Sequence, residues 1–142
     1  MIVVDTNVLV AGLRSRSGVS RKIIRAMLER RIEFGASPAM FLEYEAVLSR
    51  AGQLAAFGLT LDEVREFLDG LALLVTPIGL SFLWRPQLND PADEMVLEAA
   101  VNGMASALVT WNVRDFIPVA GKFGLRVITP GVFWAGFEKE ST

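Results

Sequence analysis

Asp5, Asp93 and Asp115, with either Glu43 or Glu45, are the side chains of this 142-residue chain whose types and settings suit chemistry. The chain has no histidine and no cysteine. Their absence excludes Ser-His and Cys-His nucleophiles, a histidine general base, zinc sites of the usual nitrogen and sulfur ligands, and any disulfide. Carboxylates, lysine, tyrosine, hydroxyls and oxygen-bound metals remain. Carboxylates that converge from distant parts of a chain repel one another unless protons or divalent metal ions neutralise them.

Each acid also has a purely structural reading. Asp5 follows the aliphatic run Ile2-Val3-Val4, where an ionised carboxylate loses solvation unless a cation or hydrogen-bond donors compensate it. Thr6 and Asn7 beside it can orient a carboxylate or a bound water; alternatively Asp5 only bonds the following turn. Glu43 and Glu45 lie symmetrically about Tyr44 on a helical face of Met40, Phe41, Tyr44, Val47 and Leu48, so periodicity does not choose between them. Asp90 fits an N-cap, Pro91 the first helical position and Asp93 the third, which would satisfy helix amides and the macrodipole. A site role is the other reading for Asp93, whereas Glu94 is expected to face water. After the aliphatic stretch ending at Val109 come Thr110, Asn112 and Asp115, and Asp115 alone could cap a short helix.

The elements that position these residues alternate. Ile2–Val4 reads as a strand buried on both faces, with Asp5 at its carboxyl end. A polar, glycine-containing link is expected next, then a helix with Val19, Ile23, Ile24, Met27 and Leu28 at helical spacing. Residues 32–36 read as a second strand, and Ser37-Pro38 opens a helix running to about Arg50. Thr60 with Glu63 forms a capping box for a helix through Leu74, whose inward stripe is Leu61, Val64, Phe67, Leu68 and Leu71. An extended segment over 75–78, a helix after Asp90, a strand over 107–110, a short helix near Phe116, a strand over 126–128 and a helix after Thr129-Pro130 complete the chain. Alternation of this kind predicts one α/β domain: a three-layer sandwich with a central parallel sheet and helices on both faces. Ligands of such sheets gather beyond the carboxyl ends of the strands, the edge shared by Asp5 and the loop over 110–115.

The net charge of −2 conceals a basic segment. Residues 14–31 carry seven cations against Glu29 alone, while the rest of the chain carries seven against fifteen acids. Screening limits distant charges to roughly 8 Å at physiological salt, so a local patch can attract a polyanion although the whole chain is acidic. Either a solvated helix face or a nucleic-acid contact accounts for it. No export or membrane signal is visible, and a cytoplasmic protein is expected. The longest apolar run, 71–84, is interrupted by Thr76, Pro77 and Gly79, falls short of the about 20 residues that span a bilayer, and reads as core.

Taken in order, Asp5-Thr6-Asn7, a Ser-Pro-led helix with Glu43-Tyr44, Asp90-Pro91-Ala92-Asp93, and Val109-Thr110-Trp111-Asn112 followed by Asp115-Phe116 resemble the PIN-domain ribonucleases. Within them the chain is most similar to the VapC-like toxins of toxin-antitoxin pairs. The likeness covers nearly the whole chain, and the ordered set is more specific than any one motif. It implies an acidic pocket of Asp5, Glu43, Asp93 and Asp115 supported by Thr6, Asn7, Thr110 and Asn112, and so prefers Glu43 to Glu45. It further implies hydrolysis of an RNA phosphodiester with Mg²⁺ or Mn²⁺, Asp5 and Asp93 leading the metal ligands and Asp115 binding directly or through water. Asn112 stands where some members carry another aspartate, which makes a second ion optional. Trp111 beside it reads as ordinary packing, with base stacking as the alternative.

RNA approaching an acidic pocket needs cations for its flanking phosphates, and Arg14, Arg16, Arg21 and Lys22, which follow the Asp5 strand, are the candidates. The resemblance also implies a homodimer and an antitoxin whose tail covers the pocket, and the mean hydropathy of +0.42 favours self-association. Two rivals belong to other classes. One is a catalytically inactive module that only binds RNA or a protein. The other is a phosphotransfer domain using Asp5 as nucleophile, which would want an aspartate at position 7, where Asn7 stands.

Overall fold

The computed structural model describes residues 1–80 and 86–141. Three β-branched residues form β1 (Ile2–Val4), buried throughout, and a parallel partner, β4 (Ala107–Val109), aligns Val4 with Val109. Beyond β4 lies β5 (Val127–Ile128), also parallel. On the other side β2 (Gly35–Ala36) and β3 (Thr76–Pro77) pair in parallel. A bridge from Ile2 to Phe34 and a 3.0 Å bond from the Ile2 N–H to the Glu33 carbonyl join the two sheets. The order is therefore β3, β2, β1, β4, β5. The chain leaves β1 toward one side and returns on the other, so the crevice between the carboxyl ends of β1 and β4 is the topological switch point. This is the expected parallel α/β arrangement.

The residues after Asp5 depart from the expected link: α1 (Thr6–Arg14) starts at once. Val8, Leu9 and Leu13 bury one side of it, and Gly12 lets α2 (Val19–Leu28) approach closely. A Cβ at Gly12 would meet the Ile24 side chain and the Ser20 backbone. Glycine is a poor helix former in isolation, but here it permits the crossing that buries Ile23, Ile24 and Met27.

Ser37 caps α3 (Pro38–Leu48), its Oγ accepting from the Met40 N–H at 3.2 Å. The chain then breaks and forms a separate helix, α4 (Ala51–Phe57), which ends at Gly58 with φ 68°. The capping box of α5 (Leu61–Leu74) is present in both directions, at 3.1 and 3.0 Å. Asp90 caps α6 (Pro91–Asn102), which packs on β1, β2 and β4. After β4 comes α7 (Val113–Ala120), with Phe116 fully buried. Finally α8 (Pro130–Ser141) packs on α2, where the Arg31 guanidinium lies 5.3 Å from the Phe137 ring centroid.

Of the apolar run over 71–84, Leu71 and Ile78 are core, Leu73 is exposed on α5, and 81–85 lie outside the described residues. Among the described residues no helix is long and apolar enough to cross a membrane.

Candidate functional site

Because β1 and β4 run side by side, Asp5 and Thr110 become neighbours although 105 residues separate them. The Thr110 hydroxyl donates to Asp5 Oδ2 at 2.9 Å. Asn7, on the first turn of α1, donates through Nδ2 to the same oxygen and to Thr110 Oγ1, each at 3.3 Å. Its Oδ1 accepts from the Trp111 N–H at 3.2 Å, and Thr110 Oγ1 accepts from the Asn112 N–H at 3.0 Å. Asp5 is thus held at the sheet edge by Asn7 and Thr110, two of the four residues named beside it, while Asn112 reaches only Thr110. Thr6 is half-buried, and its side chain takes no part in this network.

Asp5 is 8 % exposed and stands at the N-cap position of α1. Burial pushes its pKa up, and the donors from Thr110 and the Thr6 and Asn7 amides only partly oppose that. Asp90 adds to the rise. On the first turn of α6, Asp93 is half-buried and its pKa is pushed up to about 6, first by burial and then by Asp90, Asp5 and Asp115. Asp115 is exposed on the first turn of α7. A cavity of about 460 Å³ is lined by Asp90, Asp93, Asp115, Gln87, Asn89 and Pro118, among others. Asp5 lies outside that lining but close enough to raise the Asp93 pKa.

Four aspartates from β1, α6 and α7 therefore share one electrostatic niche. Among the described residues the ion pairs are Arg31 with Glu29 and Arg65 with Asp62, and neither touches it. No cation among those residues is paired with the aspartates to relieve their repulsion.

Glu43 is half-buried on α3 beside Tyr44, and it is not among the charges that shift Asp5 or Asp93. Glu45 points elsewhere, into a cavity of about 620 Å³ between α3 and α5 that also contains Arg65 and Asp69. Between them lies Tyr44, fully buried, whose hydroxyl donates to the Val4 carbonyl. Burial and the nearby Asp5 raise its pKa, so it stays a neutral donor that pins α3 to the end of β1.

Hard oxygen donors of this kind suit a divalent cation such as Mg²⁺ or Mn²⁺. Among the described residues, however, no three carboxylates are gathered into a ready ligand group. The donor set fits an ion that takes one or two carboxylates directly and keeps water for its other positions, the usual manner of Mg²⁺. Three direct bonds from Asp5, Asp93 and Asp115 are not preformed.

Glu94 overturns its expected exposure. It is 9 % exposed, and its Oε2 accepts from the N–H groups of Gln87 at 3.0 Å and Leu88 at 2.9 Å. Its Oε1 is buried with no hydrogen-bond partner among the described residues. The carboxylate ties the approach to α6, which forms one wall of the acidic cavity, to the helix itself. A sequence signal existed: Glu94 lies three residues before the buried Leu97, on the inward stripe of α6. Truncation by Glu94→Ala frees two charge-assisted bonds and is expected to lower stability by about 2 to 3 kcal/mol, read as a shift of the urea midpoint; an unchanged midpoint would show that the segment is held by other contacts.

The basic candidates divide. Arg14, nine residues along α1 and so roughly 13 Å from Asp5, donates to Gln53 Oε1 at 2.8 and 3.2 Å. Arg21 is committed to the carbonyl end of α1, its Nε donating to the Gly12 oxygen at 2.6 Å and its Nη2 to that of Leu13 at 3.5 Å. Arg16 and Lys22 are exposed. They flank Ser20, whose Oγ accepts from the Trp111 indole at 3.0 Å, so the start of α2 returns to the site edge that α1 left. Ser20 was not singled out from the sequence, although a signal existed: it precedes Ile23, Ile24 and Met27 by three, four and seven residues, on the buried stripe of α2.

A family model described as PIN domain matches residues 1–114, a segment that holds Asp5, Asp93 and Thr110 and stops just before Asp115. No curated protein matches the chain.

Proposed function

Because the chain belongs to the PIN-domain family, whose members are generally nucleases that typically use divalent metals, we propose that it is a metal-dependent endoribonuclease acting with Mg²⁺ or Mn²⁺. The observation that carries this reading is the niche itself: Asp90, Asp5 and Asp115, from three separate elements, add to the proton affinity of the half-buried Asp93, and no cation among the described residues is paired with them.

Asp5 and Asp93 would hold the ion, with Asp115 acting through an intervening water. Once bound, the ion lowers the pKa of a water and offsets charge on the phosphate. Thr110 and Asn7 fix the orientation of Asp5. In hydrolysis, water adds to phosphorus and one P–O ester bond breaks. The proton of the attacking water passes to a carboxylate, for which Glu43 and the exposed Asp115 are the candidates, and the leaving oxygen takes a proton from solvent.

The test is incubation of labelled RNA with the protein and Mn²⁺ or Mg²⁺, beside an Asp5→Asn variant and an EDTA control. Cleavage lost in both controls supports the enzyme, and cleavage that survives either one refutes it. Tight RNA binding without cleavage would favour an inactive module, a reading to which the neutral Asn112 and the lack of a preformed ligand group among the described residues lend support.

Arg16 and Lys22, both exposed in the basic segment, are the cations proposed to hold flanking phosphates of the RNA. Removing one phosphate-binding cation reduces the slope of log affinity against log salt by about 0.7 for a single strand, so Arg16→Ala with Lys22→Ala is expected to flatten it by about 1.4. Binding titrations between low and physiological salt measure this; an unchanged slope would remove the patch from the RNA path.

The finer role proposed is that of the toxin in a toxin-antitoxin pair, acting as a homodimer, with an antitoxin tail covering the acidic cavity. The order of the motifs supports the toxin role. The exposed Leu42 and Leu73 support self-association.

A further inference from the structure

Trp111 departs from the packing expected of it, being 45 % exposed at the edge of the acidic niche. The residue is nevertheless anchored through both its ring and its backbone. The indole Nε1–H donates to Ser20 Oγ at 3.0 Å, and Ser20 is itself 2 % exposed at the tight crossing of α1 and α2. Its backbone N–H donates to Asn7 Oδ1, and Asn7 contacts Asp5 and Thr110. Core packing does not explain an apolar ring that is pinned while much of it meets solvent. Because the pinning has already removed its rotamer freedom, a flat ligand lying on it costs little further ordering.

Charge supplies the second half of the argument. One anchor of Trp111, Asn7, contacts Asp5, and the other, Ser20, lies in the basic segment between the exposed Arg16 and Lys22 in sequence. An anionic chain with flat side groups suits such a neighbourhood: phosphates at the basic segment and at the metal-loaded acids, and a base on the indole. Resting on the ribonuclease reading above, we propose that Trp111 is a stacking platform for an unpaired base of single-stranded RNA beside the scissile phosphate. A base inside a duplex has both faces covered and does not fit. Every base offers a π face, so the platform selects single strands with little regard to base identity.

Initial cleavage rates in Mn²⁺ test this, with a labelled single-stranded RNA as substrate and its fully abasic counterpart as competitor. Trp111→Ala is expected to raise KM by roughly 5- to 150-fold, the worth of one stacked base. The inhibition constant of the abasic competitor should stay unchanged, and Trp111→Phe should restore most of the affinity. A KM and inhibition constant that rise together would assign the indole face to the backbone or to a protein partner and overturn the proposal. Cleavage with an unchanged KM would overturn it while leaving the ribonuclease standing. No cleavage by the wild-type protein would overturn the ribonuclease reading and this inference with it.

Discussion

Asp5→Asn is expected to reduce RNA cleavage by about a thousandfold or more, because in the proposed mechanism several kcal/mol of charge stabilisation at the phosphate would depend on an ion held by Asp5. The same substitution should leave the metal-free protein at least as stable as the wild type. Asp5 is buried, its pKa is raised, and Asp90 and Asp93 share its field. An amide keeps the shape and can still accept from the Thr110 hydroxyl, but it removes the repelling charge. Activity and stability therefore move in opposite directions, as they do where a site is arranged for function at the expense of folding. Thermal melts in EDTA beside cleavage assays measure both. A marked loss of metal-free stability would mean that Asp5 serves the fold, through its bonds to Thr110 and Asn7, rather than a ligand.

The second large effect is on the pH dependence of stability without and with divalent ions. Asp93 titrates at about 6 in the folded chain against an ordinary value of 3.8. Between those values the folded state binds more protons than the unfolded state, so its contribution to stability is fully present below 3.8 and is lost as pH rises through 6. Asp5 shifts in the same direction. In EDTA, the midpoint of the wild type should fall relative to Asp93→Asn as pH rises from about 4 to about 6.

Mg²⁺ or Mn²⁺ should reverse the trend, since a metal needs the carboxylates ionised. At pH 7 an ion at a hundredfold excess over its dissociation constant adds about 2.7 kcal/mol, or roughly 5 to 10 °C for a chain of this size. At pH 4 the gain should nearly vanish. Parallel pH curves for wild type and Asp93→Asn, with no differential response to the ions, would mean that the aspartates neither interact strongly nor bind metal.

Much of the architecture was legible because it rests on local rules. The capping box at Thr60 and Glu63, the Ser37-Pro38 and Asp90-Pro91 helix starts, and the aliphatic runs of β1 and β4 each declare themselves within a few residues. α1 and α4 did not. Gly12 weakens the helical signal of α1, and its purpose appears only where Ser20 and Ile24 press against it. α4 is seven residues long, too short for a periodic stripe to stand out from its alanines and glycine.

The candidate site divides in the same way. The candidate acids and the amides beside them could be named from residue type and local setting, because a chain without histidine or cysteine leaves few groups able to do chemistry. Which acids meet could not, since helical periodicity treats Glu43 and Glu45 alike and is silent about partners a hundred residues away. The parallel pairing of β1 with β4 brought Asp5 to Thr110, and the packing of α6 on that sheet brought Asp93 within reach. Tertiary structure also turned Glu94 inward, engaged Arg21 with the end of α1 and left Trp111 open. Sequence determined the inventory of groups and the local elements that carry them, because both depend on neighbours in the chain. Their convergence, burial and proton affinity depend on neighbours in space, and only the fold decides those.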